Sequence, residues 1–228
     1  SQGKMRRYFT YAIGEIILVV IGILIALQIN NWNETKKNSR KELYLLKQLQ
    51  KEFKKDSSNL ARQAWLTKLK VDDGKIIKSF LEGKSQLRVA SLVSFLFYNG
   101  KALLFQSHTP TYDEIISSGN LSIISSESLK TTISNYKSNI SSTNSFLFME
   151  AHTIKQKYNA HIFKYFDAEI MTHLWNRPNS TPSDRLIERE DLKNFKIDVK
   201  NFKHDTTSLY HIRAVIGVDA ELNFQYTQ

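Results

Sequence analysis

The chain has 228 residues, no cysteine, and a formal net charge of +10 from 32 basic and 22 acidic side chains. The absence of cysteine excludes disulfides, thiolate nucleophiles and cysteine-ligated zinc sites. Only three prolines and eight glycines occur, which favours helices over a turn-rich β fold. We therefore expect an all-α protein.

The first predicted element is an apolar helix. The 22 residues from Tyr8 to Ile29 would form a helix roughly 33 Å long, enough to cross the hydrocarbon core. Twelve consecutive residues, Ile16 to Leu27, carry no side chain more polar than glycine. No small-residue cleavage site follows, which disfavours a cleaved signal peptide. A buried core helix is the alternative, but we interpret the segment as a retained signal anchor.

Residues typical of a membrane interface flank this segment. Aromatic rings favour the headgroup level on both sides of a bilayer, and basic side chains near helix ends reach the same level. The predicted interfacial anchors are Arg6, Arg7, Tyr8, Tyr11 and Trp32.

The flanking charges and the size of the C-terminal domain favour opposite orientations of the anchor. Basic residues after the segment outnumber Lys4, Arg6 and Arg7 before it, and by the positive-inside rule this would keep the large domain in the cytoplasm. However, large domains cross membranes largely regardless of their own charge, and a basic segment before Ser1 would change the count. We expect a single-pass protein of the bacterial inner membrane with a cytoplasmic N-terminus and a periplasmic C-terminal domain.

One face of the predicted anchor is a candidate helix contact. Glu15, Gly22, Ala26 and Asn33 fall within about 20° of one direction on a helical wheel. Gly22 and Ala26 form a small-xxx-small pair that lets two helix backbones approach closely. The pattern predicts self-association, or contact with another membrane subunit, through Glu15, Gly22 and Ala26. The alternative is that Glu15 lies at the headgroup level and the small residues are ordinary membrane composition.

The segment from Tyr11 to Glu34, YAIGEIILVVIGILIALQINNWNE, closely resembles an uncharacterised family of single-pass membrane proteins from Gram-negative bacteria. A second block, PTYDEIISSGNLSII at 110–124 with Leu129 and Tyr136 after it, resembles another recurring part of that family. The resemblance implies a short basic N-terminus, this anchor and a helical domain of roughly 200 residues. It implies no activity and no catalytic residues.

The anchor is predicted to continue as an amphipathic helix through residues 30–33 to about Leu81. Asp72-Asp73-Gly74 could interrupt this helix, and Glu82-Gly83 should end it. Its apolar positions follow three-, four- and seven-residue steps; they are Leu43, Leu46, Leu49, Phe53 and Leu60.

Cap signals predict the later helices. An apolar segment, 89–98, is too short to span a bilayer and should be buried in the core. Thr111 and Glu114 match a capping box, and Gly119 should end that helix. Ser125 or Ser126 should begin a helix running to Trp175, and Asp205 or Thr206 should begin the last one.

Together these elements predict three regions. Residues 1–7 would form a basic tail, 8–32 the transmembrane helix, and 33–228 an antiparallel helical bundle.

The sequence contains no complete catalytic or metal-binding pattern. Gly83-Lys84-Ser85 resembles the end of a phosphate-binding loop, but position 78 is lysine where that motif needs glycine. Glu169 and His173, with His161 twelve residues earlier, would need a ligand from a second helix to hold zinc or iron. We predict no catalytic, cofactor or metal site.

The positive charge is concentrated just after the anchor, where clusters of basic residues can attract anionic headgroups. The predicted lipid contacts are Lys36, Lys37, Arg40 and Lys41. The alternative is a solvated helix face, interleaved with Glu42 and Glu52. We expect no nucleic-acid partner, since no recognised binding motif is present.

These observations predict a non-enzymatic membrane-anchored scaffold or accessory subunit that is a homo-oligomer or part of a larger complex. The alternative is an extracytoplasmic sensor or small-ligand-binding module.

Overall fold

The computed structural model describes residues 2–102, 105–175 and 191–227, and the side chains of 13–102, 105–138, 140, 147, 149–172 and 192–227. Within these ranges all regular structure is helical apart from an isolated β-bridge between Phe166 and Ile197. The prediction of an all-α fold is confirmed. The α-helices are α1 (Gln2–Leu81), α2 (Val89–Asn99), α3 (Pro110–Ser117), α4 (Glu127–Ile162), α5 (Glu169–Trp175), α6 (Val199–His204) and α7 (Thr206–Thr227), with short 3-10 helices at Asn120–Ile123 and Asp191–Asn194.

Helix α1 is continuous for 80 residues. It ends at Leu81, as predicted, where Gly83 adopts φ +72° and the Lys84 N–H donates to the Ser79 carbonyl at 2.9 Å. Asp72-Asp73-Gly74 does not interrupt it. A Cβ at Gly74 would lie 2.5 Å from Cγ1 of Ile216, so this glycine permits close packing against α7. The predicted boundaries after residues 7 and 32 fall inside the helix.

The chain forms two compact units. The first comprises Ser1–Phe53 and Thr109–Ser134, and the second comprises Lys54–His108 and Asn135–Gln228. Helices α1 and α4 each contribute to both units.

In the first unit, α1 buries Leu45 and Leu49, and α3 buries Tyr112 and Ile115. Leu43 was predicted to belong to the buried stripe, but its side chain is 55% exposed. That prediction is wrong because the buried face begins at Leu45, two residues and about 200° further around the helix.

Two carboxylates of α1 hold the segment from α3 to the start of α4. Glu52 accepts hydrogen bonds from the Thr111 backbone N–H (3.0 Å) and hydroxyl (2.6 Å). Glu42 accepts from the Ser125 N–H (2.6 Å) and hydroxyl (2.7 Å). These donors lower the pKa of Glu42, chiefly through the backbone hydrogen bond from Ser125.

The predicted capping box of Thr111 and Glu114 is therefore wrong. Helix α3 begins at Pro110, and its first-turn N–H at Thr111 is satisfied by Glu52 rather than by a cap from its own sequence. The other cap signals hold. The Ser126 hydroxyl accepts from the Leu129 N–H at 3.3 Å, Gly119 adopts φ +70°, and Asp205 accepts from the Thr207 N–H at 2.8 Å.

The second unit has two hydrophobic clusters. The larger cluster combines residues from α1, α2, α4, α5, α6 and α7, among them Ile77, Leu96, Tyr158, Ile170, Phe202 and Val215. The smaller contains Ala64, Phe105, Leu147, Ala151, Val218, Leu222 and Tyr226. The predicted burial of segment 89–98 is confirmed for its central residues, since Leu92, Val93, Leu96 and Phe97 are at most 1% exposed, whereas Val89 at its start is 44% exposed.

Helix α4 ends at Ile162 and does not continue to Trp175. The chain turns there because buried Phe166 pairs with Ile197, and the Asp167 N–H donates to the Lys196 carbonyl at 3.0 Å. Asp167 then accepts from the Glu169 N–H at 3.1 Å, which starts α5 as a separate helix.

Replacing Glu52 with alanine should destabilise α3 locally by about 1–2 kcal/mol, because the Thr111 N–H and hydroxyl lose a shared acceptor. Amide hydrogen exchange across residues 110–117 should accelerate by about tenfold for each 1.4 kcal/mol of local stability that is lost. Glu114→Ala is the matched control and should leave this exchange unchanged. Equal effects of the two substitutions would instead support the capping box.

Candidate functional site

The predicted anchor is the most exposed apolar surface of the described chain. Helix α1 is the one described helix long and apolar enough to cross a membrane, and none of its most apolar 18-residue window is buried. Twelve large apolar side chains between Ile13 and Ile29 are each 47–74% exposed. The segment is therefore a candidate membrane span.

The candidate contact face lies on this segment. Glu15, Gly22 and Ala26 are all exposed positions of α1. A Cβ built at Gly22 would meet no atom within 4 Å, so the small-residue face is open. The structure brings no other described segment onto it.

Several polar and basic residues that follow the span already contact other side chains. Trp32 is 64% exposed, and the Lys36 ammonium lies 4.7 Å from its ring centroid, a cation–π contact. Lys37 pairs with Glu34 at 3.9 Å, and Lys41 donates to the Asn120 amide oxygen at 2.9 Å. Arg40 is exposed. The side chains of Arg6, Arg7, Tyr8 and Tyr11 lie outside those that the structure describes.

A buried ion cluster lies in the second unit. Asp219 of α7 is fully buried and pairs with Lys155 of α4 at 2.5 Å and with Lys70 of α1 at 3.7 Å. The Lys155 ammonium also donates to the Asn99 carbonyl at 2.7 Å, and the Lys70 ammonium donates to the Lys101 carbonyl. Three helices and the turn after α2 therefore meet at one carboxylate.

The cluster shifts the titration of its lysines. Burial, reinforced by the charge of Lys70 and opposed by Asp219, holds the pKa of Lys155 well below its usual range. Burial and the charge of Lys70 lower the pKa of Lys101 to about 8. A lysine with a lowered pKa is more often deprotonated and therefore more reactive towards electrophiles.

A second polar cluster combines histidines with hydroxyl groups. The rings of His161 and His211 stack with centroids 4.6 Å apart, and His161 Nε2 lies 2.8 Å from the Ser208 hydroxyl. Burial lowers the pKa of both histidines, which favours neutral rings at neutral pH. Asp205 accepts from the Tyr165 hydroxyl at 2.5 Å.

This cluster does not have the geometry of a hydrolase triad. Ser208 is 1% exposed and donates its own proton to the Phe202 carbonyl at 2.8 Å, so its oxygen accepts from His161. A nucleophilic serine needs the opposite arrangement, with its proton directed at the histidine and its oxygen open to substrate. The hydrogen bonds of this cluster are those of a packed, structural polar core.

The metal ligands considered from sequence lie only partly within the described side chains. The His173 side chain lies outside the described residues, whereas Glu169 and His161 lie within them. Among the side chains that are described, no three His, Asp or Glu residues form a group able to hold a metal ion.

The sequence pattern did not reveal the partners of Glu42 and Glu52 or the buried ion cluster of Asp219. Glu42 and Glu52 match a solvated helix face by spacing alone, and only the fold brings Ser125 and Thr111 to them. Asp219 carried a usable signal, because it lies one turn after Val215 and three residues before Leu222 on the buried face of α7. An acid at such a position requires a buried partner.

In the second unit, Asp56 joins two segments of the chain. It accepts hydrogen bonds from the Ser107 hydroxyl at 2.6 Å and the Tyr136 hydroxyl at 2.8 Å. Burial, together with Asp56, raises the pKa of Tyr136 to about 12. The tyrosine therefore remains a hydrogen-bond donor at physiological pH.

One comparison with known proteins gives a match. The sequence model of a family described as "Family of unknown function (DUF6090)" matches residues 15–152. No curated protein and no solved structure matches the chain significantly.

Replacing Asp219 with alanine should destabilise the second unit by about 3–5 kcal/mol, because Lys70 and Lys155 would remain buried without their counter-ion. Chemical denaturation of the whole chain in detergent measures the loss. Glu221→Ala, an exposed substitution on the same helix, should change the free energy of unfolding by less than about 0.5 kcal/mol. A cost below about 1 kcal/mol for Asp219→Ala would show that the cluster does not hold the helices together.

Proposed function

We propose that this chain, which belongs to the DUF6090 family of unknown function, is a non-enzymatic scaffold or accessory subunit anchored in the bacterial inner membrane. One observation carries the proposal. A single unbroken helix, Gln2–Leu81, carries both the exposed apolar segment and the residues Leu45 and Leu49, which are buried in the first unit.

The energetics of exposure support an anchor. Burying a large aliphatic side chain is worth about 1.5–3 kcal/mol, so leaving twelve of them in water costs on the order of 20 kcal/mol. Such a cost exceeds the usual net stability of a domain. A lipid environment removes it without requiring any other part of the chain to cover the segment.

The continuity of α1 supports a scaffold rather than a loose tether. A flexible linker of glycine, serine or proline would decouple an anchor from its domain, but here the helix passes through residues 30–40 without a break. A contact made by the anchor inside the membrane would therefore constrain the helix that enters the soluble part.

The small-residue face supports self-association. Membrane helices associate where glycine and alanine allow close backbone approach, because lipid removes the hydrophobic driving force between them. Gly22 and Ala26 offer such a face, with open space at the glycine. Glu15 on the same side would be better accommodated in a helix contact than against lipid. The proposed assembly is a homo-oligomer, or a complex with another membrane subunit through this face.

The proposed topology has a cytoplasmic N-terminus and a periplasmic C-terminal domain. The basic residues Arg6 and Arg7 precede the span, and a large domain can cross the membrane regardless of its own charge. Lys36, Lys37, Arg40 and Lys41 would then face headgroups of the outer leaflet of the inner membrane, at about 1 kcal/mol per residue where those lipids are anionic.

A sensor or small-ligand-binding module is the alternative function. It is favoured by one specific observation, a pocket with basic side chains in the second unit. A single-span sensor of this kind would need a partner to carry its output, so this alternative also requires the anchor contact.

Cysteine cross-linking in native membranes tests self-association, and the cysteine-free sequence gives no background. Ala26→Cys should form disulfide-linked dimers on mild oxidation, because this position belongs to the proposed face. Leu24→Cys lies at nearly the same depth but on the opposite side of the helix, and should give far less dimer. Adding Gly22→Leu to Ala26→Cys should reduce the dimer by separating the backbones.

Equal cross-linking at the two positions would indicate random collisions and contradict a specific face. A strictly monomeric mass in mild detergent, without a co-purifying subunit, would overturn the proposed scaffold function.

Thiol labelling tests the topology. A cysteine in place of the exposed residue Glu150 should react with a membrane-impermeant maleimide in intact spheroplasts, because the second unit would lie outside the inner membrane. A cysteine at Gln2 should react only after lysis. The reverse pattern would move the large domain to the cytoplasm.

A further inference from the structure

The second unit contains a pocket of about 510 Å³ between the turn after α2 and one face of α4. The turn contributes Gly100 and Lys101. The helix contributes His152, Lys155, Gln156 and Asn159, whose spacing of three, four and seven residues places them on one side. The volume falls within the usual range for small-molecule sites.

The lining is basic. Three of its residues, Lys101, His152 and Lys155, can carry positive charge, and none of the described residues that line it is acidic. Lys155 is held rigidly by the Asn99 carbonyl and Asp219, and Lys70 lies behind it on the same carboxylate. Because Lys155 is already paired with Asp219, Lys101 and His152 are the lining side chains that can present positive charge to a ligand.

Gly100 lies at the floor of the pocket, where the side chain of Asn159 packs so closely on the backbone that only glycine fits. Gly100 has φ −69°, a conformation open to any residue. However, a Cβ at Gly100 would lie 2.0 Å from Oδ1 of Asn159, and the Asn159 amide donates to the Gly100 carbonyl at 3.1 Å. The glycine therefore lets Asn159 pack directly on the backbone and fixes the turn that carries Lys101.

We propose that this pocket binds a phosphate group, carried by a small soluble ligand or by a lipid headgroup, with Lys101 as the cation that contacts it and Asn159 and Gln156 as amide partners. Lysine binds phosphate as a point charge, and the amide groups of Asn159 and Gln156 are neutral donors that can add hydrogen bonds to its oxygens. The volume beyond the phosphate accommodates the organic part of the ligand. The proposal is independent of the function proposed for the anchor.

The reactivity of Lys101 provides a direct readout. Its lowered pKa, about 8, makes it prone to acylation by an amine-reactive reagent at pH 8, and a bound phosphate both covers the amine and favours its protonated form. Lys157 is exposed on the same helix but outside the pocket lining, so it serves as an internal control within each molecule.

The experiment uses the whole chain in phosphatidylcholine nanodiscs, with acylation of each lysine followed by mass spectrometry. Inorganic phosphate at ten times its dissociation constant should slow acylation of Lys101 by about tenfold and that of Lys157 by less than twofold. Sodium chloride at matched ionic strength controls for screening. Phosphatidic acid in the nanodiscs, without free phosphate, tests a lipid headgroup as the source; protection in either arm supports the site and identifies its source.

Variants provide a second measurement. Phosphate should raise the thermal midpoint of the wild-type chain and of Lys157→Gln, but not that of Lys101→Gln, although both substitutions remove one positive charge from the second unit. The proposal is overturned if chloride protects Lys101 as well as phosphate does, if Lys101 and Lys157 are slowed equally, if neither anion source protects Lys101, or if Lys101→Gln keeps the full phosphate-induced shift.

Discussion

The second unit depends on the burial of one carboxylate between two lysines. Asp219 is fully buried, and Lys155 and Lys70 reach it from two other helices. Taking these charges out of water costs several kcal/mol for each ion, and only close pairing with additional hydrogen bonds offsets the cost. The carbonyls of Asn99 and Lys101 provide those bonds. A rotation or slip of α1, α4 or α7 would strand a buried charge, so the cluster specifies the register of all three helices.

The same requirement explains the pocket beside the cluster. The carbonyls of Asn99 and Lys101 accept from the two buried lysines, which fixes the turn after α2 at the end of the hydrophobic core. That turn presents Lys101 beside the polar face of α4. The hydrogen bonds of the buried lysines therefore position the turn that forms one wall of the basic pocket. A ligand bound there would contact both this turn and α4, so its affinity would depend on how α2 packs against α4.

Much of this fold could be predicted from sequence, wherever a local signal sufficed. Gly83, Gly119, Ser126 and Asp205 mark helix ends because a left-handed glycine or a short polar cap acts within one turn of its own position. The predictions that were wrong concern places where a residue distant in sequence provides the partner. Glu52 satisfies Thr111 from 59 residues away, and the pairing of Phe166 with Ile197 ends α4 before Trp175. The candidate contact face on α1 remains a prediction.

The range of the family match covers the residues of one proposal but only some of those of the other. Residues 15–152 include the candidate contact face of α1 and the carboxylates Glu42, Glu52 and Asp56 with their partners. Lys155 and Asp219 lie beyond that range. Association through Gly22 and Ala26 therefore uses positions covered by the family pattern, whereas the phosphate site needs residues that the pattern does not cover. Lys101, the residue proposed to contact the phosphate, lies inside the matched range, whereas Lys155, Gln156 and Asn159 lie beyond it.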